Sequence, residues 1–226
     1  MSPAPTAAPE APFVIVGAGG LGRELLGWIA GCSEATRQRF RVQAFVTEQA
    51  APGETCHGLP VLRPEALDGP PPRYVIAIAD PAAKRRIARS LDALGWIAET
   101  FVHDTANVGL NAVMGAGTVI CPCCRISTDS RIGAHVLVNS SCGVGHDAVV
   151  GDYCSLLGNV AINGHVEVGE GVLFGAGSMV HPGKAVGAWA TVGLGSVVLR
   201  RVPPHATVFG NPAQVIDRGA GGAPDD

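Results

Sequence analysis

The chain has 226 residues, 47% of them apolar, with 16 Lys and Arg against 19 Asp and Glu for a net charge of −3. This balance leaves no basic footprint for nucleic acid, and no apolar run is long enough to span a bilayer, so neither kind of partner is expected. Thirty-one Gly and 17 Pro with only 5% aromatics suit a turn-dense folded chain, and seven Cys behind a start without a signal-like pattern point to free thiols in the reducing cytoplasm.

In chain order, residues 1–12, MSPAPTAAPEAP, lack the charged and apolar regions of a secretory signal and read as a disordered leader. Residues 13–98 alternate strands and helices. Phe13 to Val16 is a short buried-strand run that ends in Gly17-Ala18-Gly19-Gly20-Leu21-Gly22, and a helix follows with Leu21, Leu25, Trp28 and Ile29 on one face. Arg41 to Val46 and Tyr74 to Ala79 read as further strands, Pro60 to Pro72 as a loop, and Pro81 to Leu94 as a helix. The pattern predicts a small Rossmann-like parallel sheet. Gly17, Gly19 and Gly22 have GxGxxG spacing between strand and helix, which suits a phosphate held at a helix N-terminus. Fewer than a hundred residues hardly supply both halves of a dinucleotide site, so a nucleotide or nucleotide-sugar phosphate is favoured over NAD. A tight turn without a ligand is the plain alternative. Glu48 is the nearby acidic candidate for a ribose hydroxyl.

A different grammar runs through residues 99–216. From Val102 to Val198 an apolar residue falls on every sixth position, seventeen times without a slipped frame. Hexapeptide repeats of this kind specify a parallel β-helix: each hexad is one short strand and one turn, and three hexads close a triangular coil. The aliphatic residue points inward and stacks on its counterpart eighteen residues away. Gly follows it at nine of the seventeen places, as expected at corners that need φ > 0 or close backbone approach. The slot four residues on is small, as in Thr118, Ser130, Ala148, Ser178 and Ser196. Cys124 and Cys142 fall in that slot one coil apart and read as packing thiols, while the cluster of Cys121, Cys123 and Cys124 has no second CxxC to complete a tetrahedral metal site. Residues 217–226 read as a disordered tail.

Five histidines lie in the repeats: His103, His135, His146, His165 and His181. Some β-helix enzymes bind zinc through three histidines across a subunit interface. Here the nearest pairs are eleven or more residues apart and start from different phases of the hexad, so no metal is expected. His146 is followed by Asp147, a carboxylate able to orient its ring and favour the imidazolium, as a general base near neutral pH requires. A solvated turn histidine is the bland alternative.

VIVGAGGLGRELL, AIADPAAKRR, VGHDAVVGDY and the closing VGLGSVV with VPPHATVFGNPAQVI together resemble the sialic-acid O-acetyltransferase and bacillosamine N-acetyltransferase family of bacterial sugar acyltransferases. The resemblance implies an α/β nucleotide-sugar-binding unit before a left-handed parallel β-helix, a homotrimer with acetyl-CoA as co-substrate in the groove between β-helices, and direct transfer to an amine or hydroxyl of a nucleotide-linked sugar. It makes His146 the general base and Asp147 its acidic companion, and places Asn139 at the acyl-transfer site. It puts the Gly164 amide beside the thioester carbonyl, the Ala176 and Leu194 backbones against the coenzyme, and Gly17, Gly19 and Gly20 around the diphosphate with Asp80 nearby. Arg200 and Arg201 are candidates for the CoA phosphates or a solvated end face. The chain departs from the family at Ser155, where several members carry a second His near the acyl group, at Leu21 in place of a common His, and at Ala79 in place of a Gly. The rival expectations are an acyltransferase for a non-sugar acceptor and a non-catalytic β-helix binding module.

Overall fold

The computed structural model describes residues 11–218, so residues 1–10 of the expected leader and 219–226 of the expected tail lie outside the described residues. The first unit holds strands β1 (Phe13–Val16), β2 (Val42–Val46), β3 (Thr55–Cys56), β4 (Leu59–Leu62), β5 (Arg73–Ile76) and β6 (Ile97–Ala98), with helices α1 (Gly20–Ala30), α2 (Glu34–Arg39) and α3 (Pro81–Ala93). The sheet order is β3-β4-β2-β1-β5-β6. It is parallel except where β3 pairs with β4. Continuous apolar strands such as FVIV, buried along their whole length, are what a parallel sheet covered on both faces demands.

One segment corrects the sequence reading. Within the expected loop from Pro60, β4 joins the sheet beside β2 and buries Val61 to 2% exposure. Its hairpin with β3 turns on His57 and Gly58, both at positive φ (49° and 78°), the two-residue turn whose twist matches a hairpin. Pro60 masked the strand in the sequence. It is tolerated because the ladder with β2 begins at Val61, one residue later, and Pro60 sits at the end of the two-pair hairpin with β3.

From Phe101 the chain winds into a parallel β-helix of two-residue strands. Its first face stacks Phe101–Val102, Val119–Ile120, Leu137–Val138, Ser155–Leu156, Leu173–Phe174 and Thr191–Val192 in an eighteen-residue register. The second face includes Arg125–Ile126, Gly143–Val144 and Ala161–Ile162, and the third Arg131–Ile132, Val149–Val150 and Glu167–Val168. Every apolar repeat position from Ile120 to Val198 is buried, whereas Val108 in the first coil is 41% exposed because nothing stacks below it. Strand Gln214–Asp217 folds back antiparallel on Thr207–Phe209.

The repeat glycines act through one of the two causes expected of them. Positive φ falls two residues later in the hexad, at Asn111, Cys123, Asp129, His135, Tyr153 and Trp189 among others. The glycine after the aliphatic residue is needed for close approach instead. A Cβ on Gly175 would lie 2.5 Å from the Leu194 backbone nitrogen of the next coil. Gly175→Ala is therefore expected to force adjacent coils apart at about 1–3 kcal/mol, measurable as a drop of several degrees in Tm.

The first unit docks on the first face, on the corner between third and first faces, and on the first turn of the corner between first and second faces, at Asp104. Phe40 meets Phe101 edge to face at 5.1 Å, and Asp104 accepts from the Ser33 amide at 2.5 Å and the Thr36 hydroxyl at 2.7 Å. His135 stacks on Tyr74 and, at 5.5 Å, on Tyr153. Arg85 reaches Glu170 and covers the Trp189 ring at 4.5 Å. None of these contacts falls on the corner between the second and third faces.

Candidate active site

His146 and Asp147 are the two turn residues that carry the chain from the second face to the third, Asp147 in the left-handed region at φ 58°. That conformation aims its carboxylate at its neighbour: His146 Nδ1 lies 2.8 Å from Asp147 Oδ2. A carboxylate only accepts, so Nδ1 carries the proton and Nε2 is left with its lone pair free. Both side chains are about half exposed or more, at 60% and 47%. A reacting group can reach the ring.

Gly164 stacks on this turn one coil further on. A Cβ there would sit 2.6 Å from His146 Nε2, so the missing side chain makes the space the imidazole occupies. The residue after it was not singled out in the sequence as part of the site. His165 Nε2 lies 3.7 Å from Asp147 Oδ2, and its ring stands edge to face with His146 at 4.9 Å between centroids. These two histidines are neighbours in space despite their wide spacing in sequence, because residues 146 and 165 differ by one coil of eighteen plus one. The candidate ligand atoms of His146, Asp147 and His165 lie within 4.8 Å of one another, a donor set that could hold a divalent metal.

Asn139, Ala176 and Leu194 belong to a different corner, the turns from the first face to the second. Asn139 Oδ1 accepts from the Ser140 amide at 2.6 Å, Ala176 is half-buried, and Leu194 stands 66% exposed. Within one chain these residues are separated from His146 by the width of the second face. Ser155 lies elsewhere again, fully buried on the first face beneath α3, where its hydroxyl accepts from Lys84 Nζ at 2.8 Å. The inward thiols of Cys124 and Cys142 are fully buried, and loss of hydration pushes them up to about 11 and about 12.

In the first unit, Gly17 takes φ 108° and donates to the Val46 carbonyl at 2.8 Å. Gly22 lets α1 approach that turn, since a Cβ there would fall 2.0 Å from the Gly17 oxygen. Gly19 and Gly20 have no such packing cause: a Cβ on either meets nothing within 4 Å. They leave open space where α1 begins. Asp80 is the N-cap of α3, accepting from the Ala83 amide at 2.6 Å. Gly17, Glu48 and Thr47 share a cavity of about 240 Å³ with Ala83, Arg86 and Ser90 of α3. Arg201 is exposed in a groove on the third face with Glu167 and Val149, and Arg200 is exposed beside it.

No protein-family model matches the chain. Among solved structures, WeeI from Acinetobacter baumannii is similar over 91% of this chain and 100% of its own, with a TM-score of 0.83 and 25% identity. A mutant of perosamine N-acetyltransferase from Caulobacter crescentus, in complex with CoA and GDP-perosamine, covers 93% of this chain and 99% of its own at a TM-score of 0.81 and 26% identity. Among curated proteins, the acyl-[acyl-carrier-protein]–UDP-N-acetylglucosamine O-acyltransferase of Pseudomonas paraeruginosa is 38% identical over 86 residues, which cover 38% of this chain. The match spans about a third of that relative's length (33%). These likenesses bear out the resemblance to hexapeptide-repeat sugar acyltransferases and the order of an α/β unit before a β-helix. No helix among the described residues is long and apolar enough to cross a membrane.

Proposed function

We propose that this chain, alike in fold to the β-helix sugar acetyltransferases, transfers the acetyl group of acetyl-CoA to an amine of a nucleotide-linked sugar. The observation that carries the reading is the His146–Asp147 pair at 2.8 Å, with Nε2 free and set over Gly164. The solved relative that carries CoA with a nucleotide-linked sugar supports the choice of both substrates. A hydroxyl acceptor would use the same base.

The acceptor nitrogen attacks the thioester carbonyl while His146 Nε2 takes its proton, and Asp147 holds the imidazolium that forms. The Gly164 N–H meets the oxyanion of the tetrahedral intermediate. Collapse breaks the C–S bond, and the imidazolium returns its proton to the leaving thiolate, giving CoA and the acetylated sugar. Side-by-side binding supplies the remaining acceleration without a covalent enzyme intermediate.

Asn139, Ala176 and Leu194 complete this site when a second copy lays its first-to-second corner against the His146 corner. Three copies around an axis parallel to the β-helix do so in a closed ring, which is the homotrimer. Seven free thiols suit residence in the reducing cytoplasm. A mixture of His146→Ala and Asn139→Ala subunits, unfolded and reassembled together, is expected to recover activity that neither variant shows alone. Arg200 and Arg201 remain candidates for the coenzyme phosphates.

The substrate experiment is CoA release from acetyl-CoA across UDP-, GDP- and dTDP-linked amino sugars. Turnover on one of them supports the reading; binding of acetyl-CoA without turnover on any would transfer the support to a non-sugar acceptor. Gly19→Val tests the phosphate cradle. Its side chain enters open space, so Tm is expected to hold while KM for the nucleotide sugar rises about tenfold or more.

A further inference from the structure

Lys84 is 1% exposed. Its Nζ donates to the Cys154 carbonyl at 2.9 Å and the Ser155 hydroxyl at 2.8 Å, both on the β-helix. Among the described residues no carboxylate pairs with it. A lysine buried against two neutral acceptors is costly as a cation and far cheaper as an amine. Its place in the fold gives that cost a use. On one side α3 lines the 240 Å³ cavity through Ala83, Arg86 and Ser90, beside Gly17. On the other side Lys84 and Arg85 seat the same helix on the β-helix. The helix is the spacer between the nucleotide cavity and the acyl-transfer prism.

We propose that Lys84 is a positioning residue for acetyl transfer, seating α3 on the β-helix and so fixing how far the nucleotide cavity stands from the acyl-transfer corners. The assignment of a transfer role rests on the acetyltransferase reading above; the seating itself does not. Ser155 fits the arrangement, because its small side chain leaves room for the lysine and offers it an acceptor.

The seat is formed by the neutral amine. Desolvation is the largest influence on Lys84 and pushes it down to about 7. The groups facing it are Asp80 on its own helix and Cys154 on the β-helix, which both favour the cation, and His135 on the third-to-first corner, whose own charged form Lys84 disfavours. Free of the seat, the side chain titrates near its ordinary 10.5. Between those values the undocked lysine is charged and the docked one neutral, so docking releases a proton. The docking equilibrium should strengthen by up to about tenfold per pH unit from about 7 to about 10, and stay flat below 7.

The test is amide exchange of α3 in the full chain, corrected for intrinsic rates, between pH 6 and 9.5, for wild type, Lys84→Met and Lys84→Arg. Wild type should gain protection above pH 7. Lys84→Met should be protected at every pH without that slope, and Lys84→Arg, charged throughout, should be poorly protected at every pH. With a sugar that is turned over, Lys84→Arg should raise the acceptor KM about tenfold or more while the acetyl-CoA KM holds, and Lys84→Met should restore it. A slope that persists in Lys84→Met overturns the seat. Equal loss for both substrates with a lowered Tm overturns positioning and leaves only a structural part. If the exchange pattern appears but no nucleotide sugar is acetylated, the seat stands and the acetyltransferase reading falls.

Discussion

His146→Ala is expected to lower the rate of CoA release from acetyl-CoA and the amino-sugar acceptor by ~10²–10⁴-fold, the usual worth of a well-placed general base. The ring is 60% exposed and forms no part of the prism interior, so Tm should hold. Binding of acetyl-CoA should hold as well, since the proposed coenzyme contacts lie at the Ala176 and Leu194 corner. Asp147→Asn should cost less, because an amide can still orient the ring but no longer balances the imidazolium. Steady-state rates with calorimetric titration of acetyl-CoA separate these outcomes. Unchanged turnover in His146→Ala would remove the base from the mechanism.

Gly164→Ala should also come close to abolishing turnover, by geometry and without removing a functional group. The new Cβ would lie 2.6 Å from His146 Nε2 and 2.7 Å from its neighbouring ring carbon, inside any real contact distance. The half-exposed imidazole has to swing outward. A displacement of about 1 Å at the reacting group can cost ~10²-fold in rate. The prism interior is untouched, so Tm should fall little, in contrast to Gly175→Ala, where the clash is with backbone. Turnover within a few-fold of wild type would show that the ring does not act from this position.

The β-helix was legible because its cause is periodic: one inward residue in six, buried from Ile120 onward. The corner geometry was less so. Positive φ falls on Gly117, Asn111 and Asp129 but also on Cys123, Tyr153 and Trp189, residue types that give no sign of it, whereas the glycine directly after the aliphatic residue marks close contacts between coils. The strand β4 was hidden by its own Pro60. At the site, His146 and Asp147 are neighbours in sequence and could be read directly. His165 could not, because its proximity is produced by coil stacking and needs the count of eighteen plus one. Lys84 was invisible for a related reason. Nothing in AIADPAAKRR says which of its cations will face the β-helix, and burial is decided by how α3 docks.

The most direct measurement is a crystal structure of the chain with CoA and the nucleotide-linked amino sugar that it turns over. The diphosphate is expected over Gly19 and Gly20. The acceptor nitrogen is expected within about 3.2 Å of His146 Nε2, with Asn139 of a neighbouring copy at the same site. A sugar nitrogen bound away from His146, or a coenzyme thiol at another corner of the prism, would contradict this arrangement.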